Sequence, residues 1–290
     1  MYCSLYTMKV LIYGSTGFVG RYVVRQLIGK VELFLAARNE SKAKSIFGDS
    51  VKAVKFNDKI ENPIFEVNPD VVINLIGILK ESGNNTFEYT HYEIPKRLID
   101  ASKNLNAKKF IQMSALGADI NSKSMYQKTK AMAEEYLISS GLNYVIFRPS
   151  IILGKEQKLF EDFKKYSKIA PFFLAPYDAK VQPVNVYDVA ECFEKATLTE
   201  IKNEIFELCG NKVINYKELF EFALKYLNIK RPVIPVPKKA FLFMIPVFSL
   251  MPDPIMTLDQ YYMLQEDNVC SGKYKGVKDL LGNVRDAFVF

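Results

Sequence analysis

Three glycines spaced three residues apart, Gly14, Gly17 and Gly20, separate a short apolar run from an amphipathic run near the start of the chain. The apolar run, 8–13, has the length of a buried strand, and the amphipathic run, 18–28, has the period of a helix. In such a strand–turn–helix unit the first glycine permits a tight turn, the second lets backbone amides approach a phosphate, and the third lets the helix pack on the strand. The turn predicts a parallel α/β sheet that binds a dinucleotide.

The same alternation continues through the first half of the chain, and it predicts the fold class. We expect buried parallel strands at 8–13, 31–37, 51–56, 70–76, 109–113 and 143–147, with helices at 18–28, 41–47, 92–105 and 126–140. The crossover 59–68 contains Pro63 and is the weakest helix. We therefore predict a Rossmann-type doubly wound α/β sheet over 1–154 and a small C-terminal α/β lobe over 155–290, some of whose segments return to the core sheet.

Composition narrows the classes of function. Hydrophobic residues make up 49% of the 290 residues and charged residues 24%, as in an ordinary globular protein. Four scattered cysteines (Cys3, Cys192, Cys209 and Cys270) and a single histidine, His91, argue against a zinc site and against a disulfide framework, and indicate a reducing, cytoplasmic compartment. The net charge of +7 is too diffuse to predict nucleic-acid binding.

The ends of the chain and its apolar runs bear on membranes. The first seven residues lack the basic and apolar regions of a signal peptide, and translation could start at Met1 or Met8. The longest apolar run, 240–251, includes Pro246 and is too short to span a bilayer. We expect a soluble protein that is at most peripheral to a membrane.

The glycine turn and the second strand predict the nucleotide-binding residues. In the turn, the backbone of Gly14, Ser15, Thr16, Gly17, Phe18, Val19 and Gly20 would receive the pyrophosphate at a helix N-terminus. The second strand ends at Ala37, where an NAD site has an acidic residue for the ribose hydroxyls, and Arg38 follows, whose guanidinium could pair with a 2′-phosphate. The sequence therefore favours NADP(H) over NAD(H). Asp58, after the third strand, could accept a hydrogen bond from the adenine amino group.

Tyr126 and Lys130 follow the fifth predicted strand. Four residues on a helix are a little over one turn, so both side chains share a face. An ammonium beside a phenol lowers the pKa of the phenol, which would make Tyr126 a general acid or base near neutral pH. Lys130 could also hold the nicotinamide ribose.

With the glycine turn, the Tyr-Lys pair and Arg148-Pro149-Ser150 after the sixth strand, the chain resembles the extended short-chain dehydrogenase/reductase (epimerase/dehydratase) superfamily. It is similar in particular to the atypical branch that contains the NADPH-binding accessory subunit of respiratory complex I. The residues that carry this narrower resemblance are 74–77, 114–118, 147–150, Gly154, 182–184, 188–190 and 266–269.

The resemblance implies roles for further residues. It implies that Ser114, Tyr126 and Lys130 are catalytic, and that the cofactor also meets Leu75, Ile76, Gly77, Met113, Pro149 and Ser150. Active members carry two adjacent hydroxyl residues after the fifth strand, whereas here Ala115 follows Ser114. A missing donor of that kind costs about two to three orders of magnitude in turnover. His91 lies where active relatives carry a structural Asn, and we expect a structural or cofactor-facing role rather than proton transfer.

The segment 222–252 contains no Asp or Glu and five basic residues, around the apolar run 240–251. This pattern fits an interfacial surface that contacts a membrane complex or an acidic protein partner, and it equally fits a buried helix with solvated lysines.

Three functions fit the sequence. The first is an NADP(H)-binding protein with weak or absent turnover, similar to the complex I accessory subunit. The second is an active NADP(H)-dependent reductase or nucleotide-sugar epimerase/dehydratase that uses Tyr126 and Lys130. The third, a sensor of the NADPH/NADP ratio, has no support beyond the glycine turn. We favour the first.

Overall fold

The computed structural model describes residues 8–250 and 254–290. The strands are β1 (Lys9–Tyr13), β2 (Glu32–Ala37), β3 (Lys52–Lys55), β4 (Val71–Asn74), β5 (Lys109–Met113), β6 (Tyr144–Pro149), β7 (Ile152–Leu153), β8 (Phe173–Pro176), β9 (Lys180–Val181), β10 (Val184–Asn185), β11 (Glu204–Leu208), β12 (Ile214–Asn215), β13 (Val233–Val236) and β14 (Lys275–Gly276). The helices are α1 (Phe18–Leu27), α2 (Glu40–Phe47), α3 (Asn62–Val67), α4 (Ile94–Asn104), α5 (Met125–Ser139), α6 (Lys158–Tyr166), α7 (Val186–Leu198), α8 (Tyr216–Tyr226), α9 (Phe241–Phe248), α10 (Leu258–Leu264) and α11 (Val277–Leu281).

The main sheet has the order β14-β11-β6-β5-β4-β1-β2-β3, and all its neighbouring strands run parallel. This confirms the predicted α/β fold class and the six predicted strands. Those strands were recognisable because a parallel strand covered by helices on both faces is apolar throughout, and β1 is buried from Val10 to Tyr13. The predicted helices are also present, and the uncertain crossover contains α3, which begins with Pro63 in its first turn.

The position of β1 between β2 and β4 creates the cleft in which ligands bind to sheets of this class. The chain first winds outward from β1 to β2 and β3, and then returns to the other side of β1 with β4. At such a switch point the loops that follow β1 and β4 diverge, which leaves a crevice at the carboxyl edge of the sheet. The glycine turn follows β1 and lies at this crevice.

The C-terminal half both extends the sheet and builds separate layers. β11 and β14 join the main sheet beside β6, and the small pairs β7–β10, β9–β12 and β8–β13 lie outside it. α7 packs against α1 in the core on one face of the sheet. A separate apolar cluster joins α6 to α8 through Phe160, Phe163, Ala223 and Leu224.

The expectation that the cysteines stay unpaired is wrong for two of them. Cys209 and Cys270 form a disulfide whose Cα atoms are 6.1 Å apart. Cys209 directly follows β11, and Cys270 lies in a segment that returns to the same place, where its amide donates to the side chain of Gln182. The spacing of the cysteines in the sequence does not indicate that the two segments meet. Because Cys209 and Cys270 are paired, they do not support the expectation of a reducing compartment. Cys192 is buried and free, and Cys3 lies outside the described residues.

α9 has an exposed apolar face. Its inner side packs Phe241, Met244, Ile245 and Phe248 against α10. Its outer side presents Phe243, which is 82% exposed, and Val247, which is 64% exposed, and Leu250 directly after the helix is 84% exposed. The alternative of a simply buried helix is therefore wrong for the described part of this run, while Met251 and Pro252 lie outside the described residues. In the ranges 8–250 and 254–290, the helices are all too short or too polar to cross a bilayer.

Candidate nucleotide-binding site

The turn after β1 has the backbone geometry of a phosphate-binding loop. Gly14 has φ +78°, a conformation that favours glycine, and a Cβ there would lie 2.9 Å from the Leu75 carbonyl carbon. Gly17 donates its amide to the Gly14 carbonyl at 3.1 Å and forms the N-cap of α1. A Cβ on Gly20 would meet the same carbonyl oxygen at 2.2 Å. Gly14 is therefore required by its backbone conformation and by the nearby backbone of Leu75, and Gly20 is required by the close approach of the turn.

The amino end of α1 is open to an anion. Within the described part of the chain, α1 has no capping side chain and no acidic residue in its first turn. The first amides of the helix and the positive end of its dipole therefore point toward the crevice. Arg21, in the same turn, donates to the Thr16 carbonyl at 3.1 Å and keeps a positive charge beside the loop.

Two buried hydroxyl groups at the carboxyl edge lack a hydrogen-bond partner among the described residues. They belong to Ser15, in the glycine turn, and Ser114, directly after β5. These residues are only 1% and 3% exposed. A buried hydroxyl without a partner is costly, so both positions are suited to polar atoms of a ligand.

The predicted adenosine end lies at β2 and β3. Ala37 is buried at the end of β2, and Arg38, the next residue, is exposed, as is Asp58 after β3. Asp58 also accepts a hydrogen bond from the Arg97 guanidinium at its backbone carbonyl, 3.1 Å away, which ties this loop to α4.

The loop after β4 is held rigidly over α5. Leu75 donates its amide to Tyr13 O at 3.0 Å, and Ile76 donates to the side chain of Asn74 at 3.1 Å. A Cβ on Gly77 would lie 3.3 Å from Lys130 Nζ and 3.6 Å from His91 Nε2. The predicted residues 75–77 and Lys130 are therefore brought together.

His91 lies within a π-helical turn, Tyr89–Glu93, directly before α4. Its Nε2 accepts the amide of Ile78 at 3.0 Å, and its ring is 1% exposed. Burial, and then the charge of Lys130, lower the pKa of His91 to about 2, although the hydrogen bond from Ile78 opposes the shift. A neutral ring that accepts a backbone amide supports the structural role expected for His91.

Tyr126 and Lys130 share one face of α5, as predicted, but their electrostatics differ from the prediction. The Lys130 ammonium lies 6.0 Å from the centre of the Tyr126 ring and donates to the Met113 carbonyl at 3.1 Å. Burial, and then the charge of Asp259, raise the pKa of Tyr126 to about 12. The expectation of a lowered phenol pKa is therefore wrong, because desolvation of the phenol and then the charge of Asp259 raise it.

Lys130 is itself strongly affected by its surroundings. It is 2% exposed, and burial lowers its pKa to about 8 against the opposing charge of Glu134, one turn further along α5. Glu134 forms a buried ion pair with the guanidinium of Arg148. The Nε of Arg148 donates to the two carboxylate oxygens of Glu134 at 3.0 and 3.1 Å, and its Nη2 donates to one of them. The predicted catalytic helix is thus joined to β6.

Of the last two predicted cofactor residues, Pro149 contacts the loop after β5 and Ser150 contacts the C-terminal lobe. Pro149 is buried at the end of β6, and its carbonyl accepts the amide of Leu116 at 3.0 Å. The Ser150 hydroxyl donates to the side chain of Asn268 at 2.6 Å. The segment 266–269 resembled the family, but its sequence gave no indication of this contact.

Asp259 is a residue that sequence reasoning missed. Its carboxylate accepts hydrogen bonds from the Ser124 hydroxyl at 2.9 Å and from the Met125 amide at 2.5 Å, at the start of α5. Asp259 lies more than 130 residues along the chain from these partners, and no sequence motif distinguishes it from other acidic residues.

The residues at the crevice fit a dinucleotide. The open helix end suits a pyrophosphate, the two unpaired hydroxyls suit polar ligand atoms, and Gly77 leaves space beside Lys130 that a side chain would fill. The structure brings the glycine turn, the loop after β4, Met113 and the Tyr-Lys helix to the same edge of the sheet.

Comparisons with known proteins agree with this geometry. A sequence model of a family described as NAD(P)H-binding matches residues 14–168, more than half of the chain. The chain is 30% identical to NADH dehydrogenase (ubiquinone) 1 alpha subcomplex subunit 9, mitochondrial, of Arabidopsis thaliana, with 93% of this chain and 72% of that protein covered. It is 29% identical to the NADH-ubiquinone oxidoreductase 40 kDa subunit, mitochondrial, of Neurospora crassa, with 93% and 74% covered.

The fold has relatives among solved structures. An NADPH-dependent quinone oxidoreductase from Escherichia coli, complexed with NADPH, has a TM-score of 0.74 at 17% identity over 96% of this chain and 97% of that one. A nucleoside-diphosphate-sugar epimerase from Staphylococcus aureus has a TM-score of 0.74 at 16% identity over 97% and 98%. At this level of identity the likeness concerns the fold alone.

Proposed function

Since the chain belongs to the NAD(P)H-binding family, we propose that it binds NADP(H) in preference to NAD(H) and turns it over slowly or not at all. The observation that carries the proposal is the glycine turn, which leads into the open N-terminus of α1 and contains Ser15, whose buried hydroxyl has no partner among the described residues. A bound nicotinamide would supply a hydride donor or acceptor. The turn 14–20 would hold the pyrophosphate, and Lys130 would meet the ribose beside Gly77.

The preference for NADP(H) rests on the end of β2. Ala37 offers no carboxylate to a ribose diol, and Arg38 is exposed beside it. A charge-assisted contact between a guanidinium and a phosphate contributes about 1.5–3 kcal/mol. The proposal therefore assigns the selectivity for the 2′-phosphate to Arg38.

Calorimetry on the nucleotide-free protein tests this assignment. The wild type should bind NADPH more tightly than NADH, and Arg38→Ala should weaken NADPH binding by about 1.5–3 kcal/mol while leaving NADH binding unchanged. Arg231→Ala, at an exposed arginine of the C-terminal lobe, removes the same charge elsewhere and should change neither affinity. Equal affinities of the wild type for the two nucleotides would contradict the proposal.

Weak or absent turnover follows from the residues around Tyr126. Ala115 is buried where the resemblance expects a hydroxyl, and the phenol of Tyr126 has its pKa raised to about 12. The raised pKa disfavours Tyr126 as a base at neutral pH, and Ala115 offers no donor that would polarise a carbonyl. If oxidation of NADPH by a quinone is detected, Ala115→Ser should increase it by supplying the missing donor.

The alternative is an active reductase or nucleotide-sugar epimerase/dehydratase. The shared face of Tyr126 and Lys130 favours it, together with the loop that Gly77 and His91 hold over Lys130. Under this alternative Tyr126→Phe abolishes turnover and leaves nucleotide affinity nearly intact, whereas Lys130→Ala reduces both. Turnover that is fast in the wild type and lost in Tyr126→Phe would replace our proposal with this one.

We propose further that the chain lies on an anionic membrane surface, on the cytoplasmic side, through the exposed face of α9. Phe243, Val247 and Leu250 lie on this face at helical spacing, and Lys239 beside it is exposed. The acid-free segment 222–252 carries five basic residues, and a basic residue that lies near an anionic surface, as Lys239 would, contributes about 1 kcal/mol. The named relatives are subunits of NADH-ubiquinone oxidoreductase, which supports a location at a membrane complex.

Co-sedimentation of the full chain with vesicles tests this surface. Binding should require phosphatidylglycerol in a phosphatidylcholine vesicle, weaken in high salt, and decrease when Lys238 and Lys239 are replaced by Glu. Val247→Glu should also release the protein, whereas Phe65→Glu, at a half-exposed residue of α3, should not. Equal sedimentation with and without the anionic lipid, or retention of Val247→Glu, would contradict the lipid contact and favour a protein partner.

A further inference from the structure

The amino end of α5, which carries Tyr126, is held from the C-terminal lobe. Ser124 is the N-cap of α5, and its hydroxyl oxygen accepts a hydrogen bond from the backbone amide of Gln127. The carboxylate of Asp259, in the first turn of α10, accepts the Ser124 hydroxyl at 2.9 Å, the Met125 amide at 2.5 Å and the Tyr126 amide at 3.4 Å. The first amides of α5 are therefore bound by an acid from another helix.

The segment around Asp259 also forms hydrogen bonds with the loop after β4. The Lys80 ammonium donates to the Pro254 carbonyl at 2.5 Å, and the Gln260 side chain donates to the Leu79 carbonyl at 3.5 Å. This segment thus spans from the loop after β4 to the start of α5. On its other side, Tyr261 and Leu264 of α10 pack against α9.

We propose that Asp259 is a positioning residue for Tyr126: it fixes the amino end of α5 from the C-terminal lobe and places a carboxylate charge next to Tyr126. The carboxylate lies at the amino ends of two helices, because it belongs to the first turn of α10 and binds the first amides of α5. The proposal concerns the protein's own groups and does not require that the chain turns over.

The other groups that face Tyr126 do not supply this charge. Lys130, on the same helix, holds its ammonium 6.0 Å from the ring centre and on the Met113 carbonyl. His91, on the π-helical turn, contacts the ring edge-on with centroids 5.0 Å apart and is neutral, and Phe87 contacts it at 5.7 Å. Asp259 raises the pKa of Tyr126 in addition to burial, so its removal should lower that pKa.

A tyrosine-specific titration tests the proposal. Protein labelled with 13C at tyrosine Cζ is titrated by NMR, and Tyr126→Phe identifies the resonance. Asp259→Asn keeps an acceptor oxygen and removes the charge, so the midpoint of Tyr126 should fall by about half a unit or more. Asp259→Glu keeps the charge and should leave the midpoint near that of the wild type.

Glu266→Gln is the matched control, because it removes the same charge from an exposed residue just beyond α10. It should leave the Tyr126 midpoint unchanged. If Asp259 only stabilised the fold, Asp259→Asn would lower the unfolding temperature without moving the midpoint, and that result would overturn the proposal.

Hydrogen exchange in the wild type supplies a measurement that needs no variant. The amide of Met125 should exchange more slowly than an uncapped first-turn amide, because Asp259 accepts it. Exchange at the rate of an unprotected amide would also overturn the proposal. Nucleotide affinity is measured on the same samples. The Asp259 proposal is judged by the Tyr126 midpoint and the Met125 exchange rate, and the NADP(H) proposal by the affinities, so either can fail while the other stands.

Discussion

Lys130 is predicted to destabilise the nucleotide-free protein. It is 2% exposed, and burial lowers its pKa from 10.5 to about 8. That difference corresponds to about 3 kcal/mol of unfavourable burial of the charged form, present in full below pH 8. The hydrogen bond to Met113 returns about 1.5–3 kcal/mol. Lys130→Met removes both effects, so the variant should be at least as stable as the wild type near neutral pH.

The sign of the pH dependence follows from the same values. Between the native pKa of about 8 and the unfolded value of 10.5, the unfolded chain binds a proton at Lys130 that the native chain does not. The free energy of unfolding of the wild type should therefore rise with pH, by about 2 kcal/mol from about pH 7.5 to about pH 10, relative to Lys130→Met.

Urea unfolding at a series of pH values measures this difference. Lys128→Met is the control, because Lys128 lies on the same helix and is partly exposed. Because both variants keep the other lysines and the tyrosines, the comparison between them removes the contribution of those groups to the pH dependence. If Lys130→Met and Lys128→Met follow the same pH dependence, or if Lys130→Met costs several kcal/mol near neutral pH, the reasoning is refuted.

Three further predictions follow from the contacts. Gly20→Ala places a Cβ 2.2 Å from the Gly14 carbonyl oxygen and should abolish nucleotide binding in calorimetry and lower the unfolding temperature. Glu134→Gln breaks a buried ion pair and should cost about 3 kcal/mol in urea unfolding, because Arg148 keeps its charge with little access to water. Cys209→Ser should lower the free energy of unfolding by about 2–4 kcal/mol under non-reducing conditions. In dithiothreitol, which reduces the disulfide of the wild type, this difference between the two proteins should disappear.

The fold of the first half could be predicted because its signals are local. A strand such as β1 is a nearly continuous apolar run, and for β5 the predicted bounds 109–113 coincide with the observed Lys109–Met113. The turn at Gly14 likewise combines a strand end, a glycine spacing and a helix start within a few residues. Parallel α/β topology then follows from the alternation alone, since crossovers of one hand place consecutive strands in one sheet.

The electrostatics of the site could not be predicted, because they depend on contacts between distant parts of the chain. Asp259 meets α5 across more than 130 residues, and Asn268 meets Ser150 across more than 110. The pairing of Cys209 with Cys270 likewise depends on how residues after α10 return to β11. The interpretation of the Tyr-Lys spacing took only the ammonium into account, whereas burial raises the pKa of the phenol.

These electrostatics separate binding from proton transfer. A phenol with a pKa of about 12 is ionised at neutral pH in about one molecule in 100,000, so Tyr126 is a poor base for the oxidation of an alcohol. The same phenol is fully protonated and can still donate a proton to a carbonyl that is being reduced. Ala115, however, offers no second donor to that carbonyl. The glycine turn needs neither group, so under the proposed function nucleotide binding persists while proton transfer is slow.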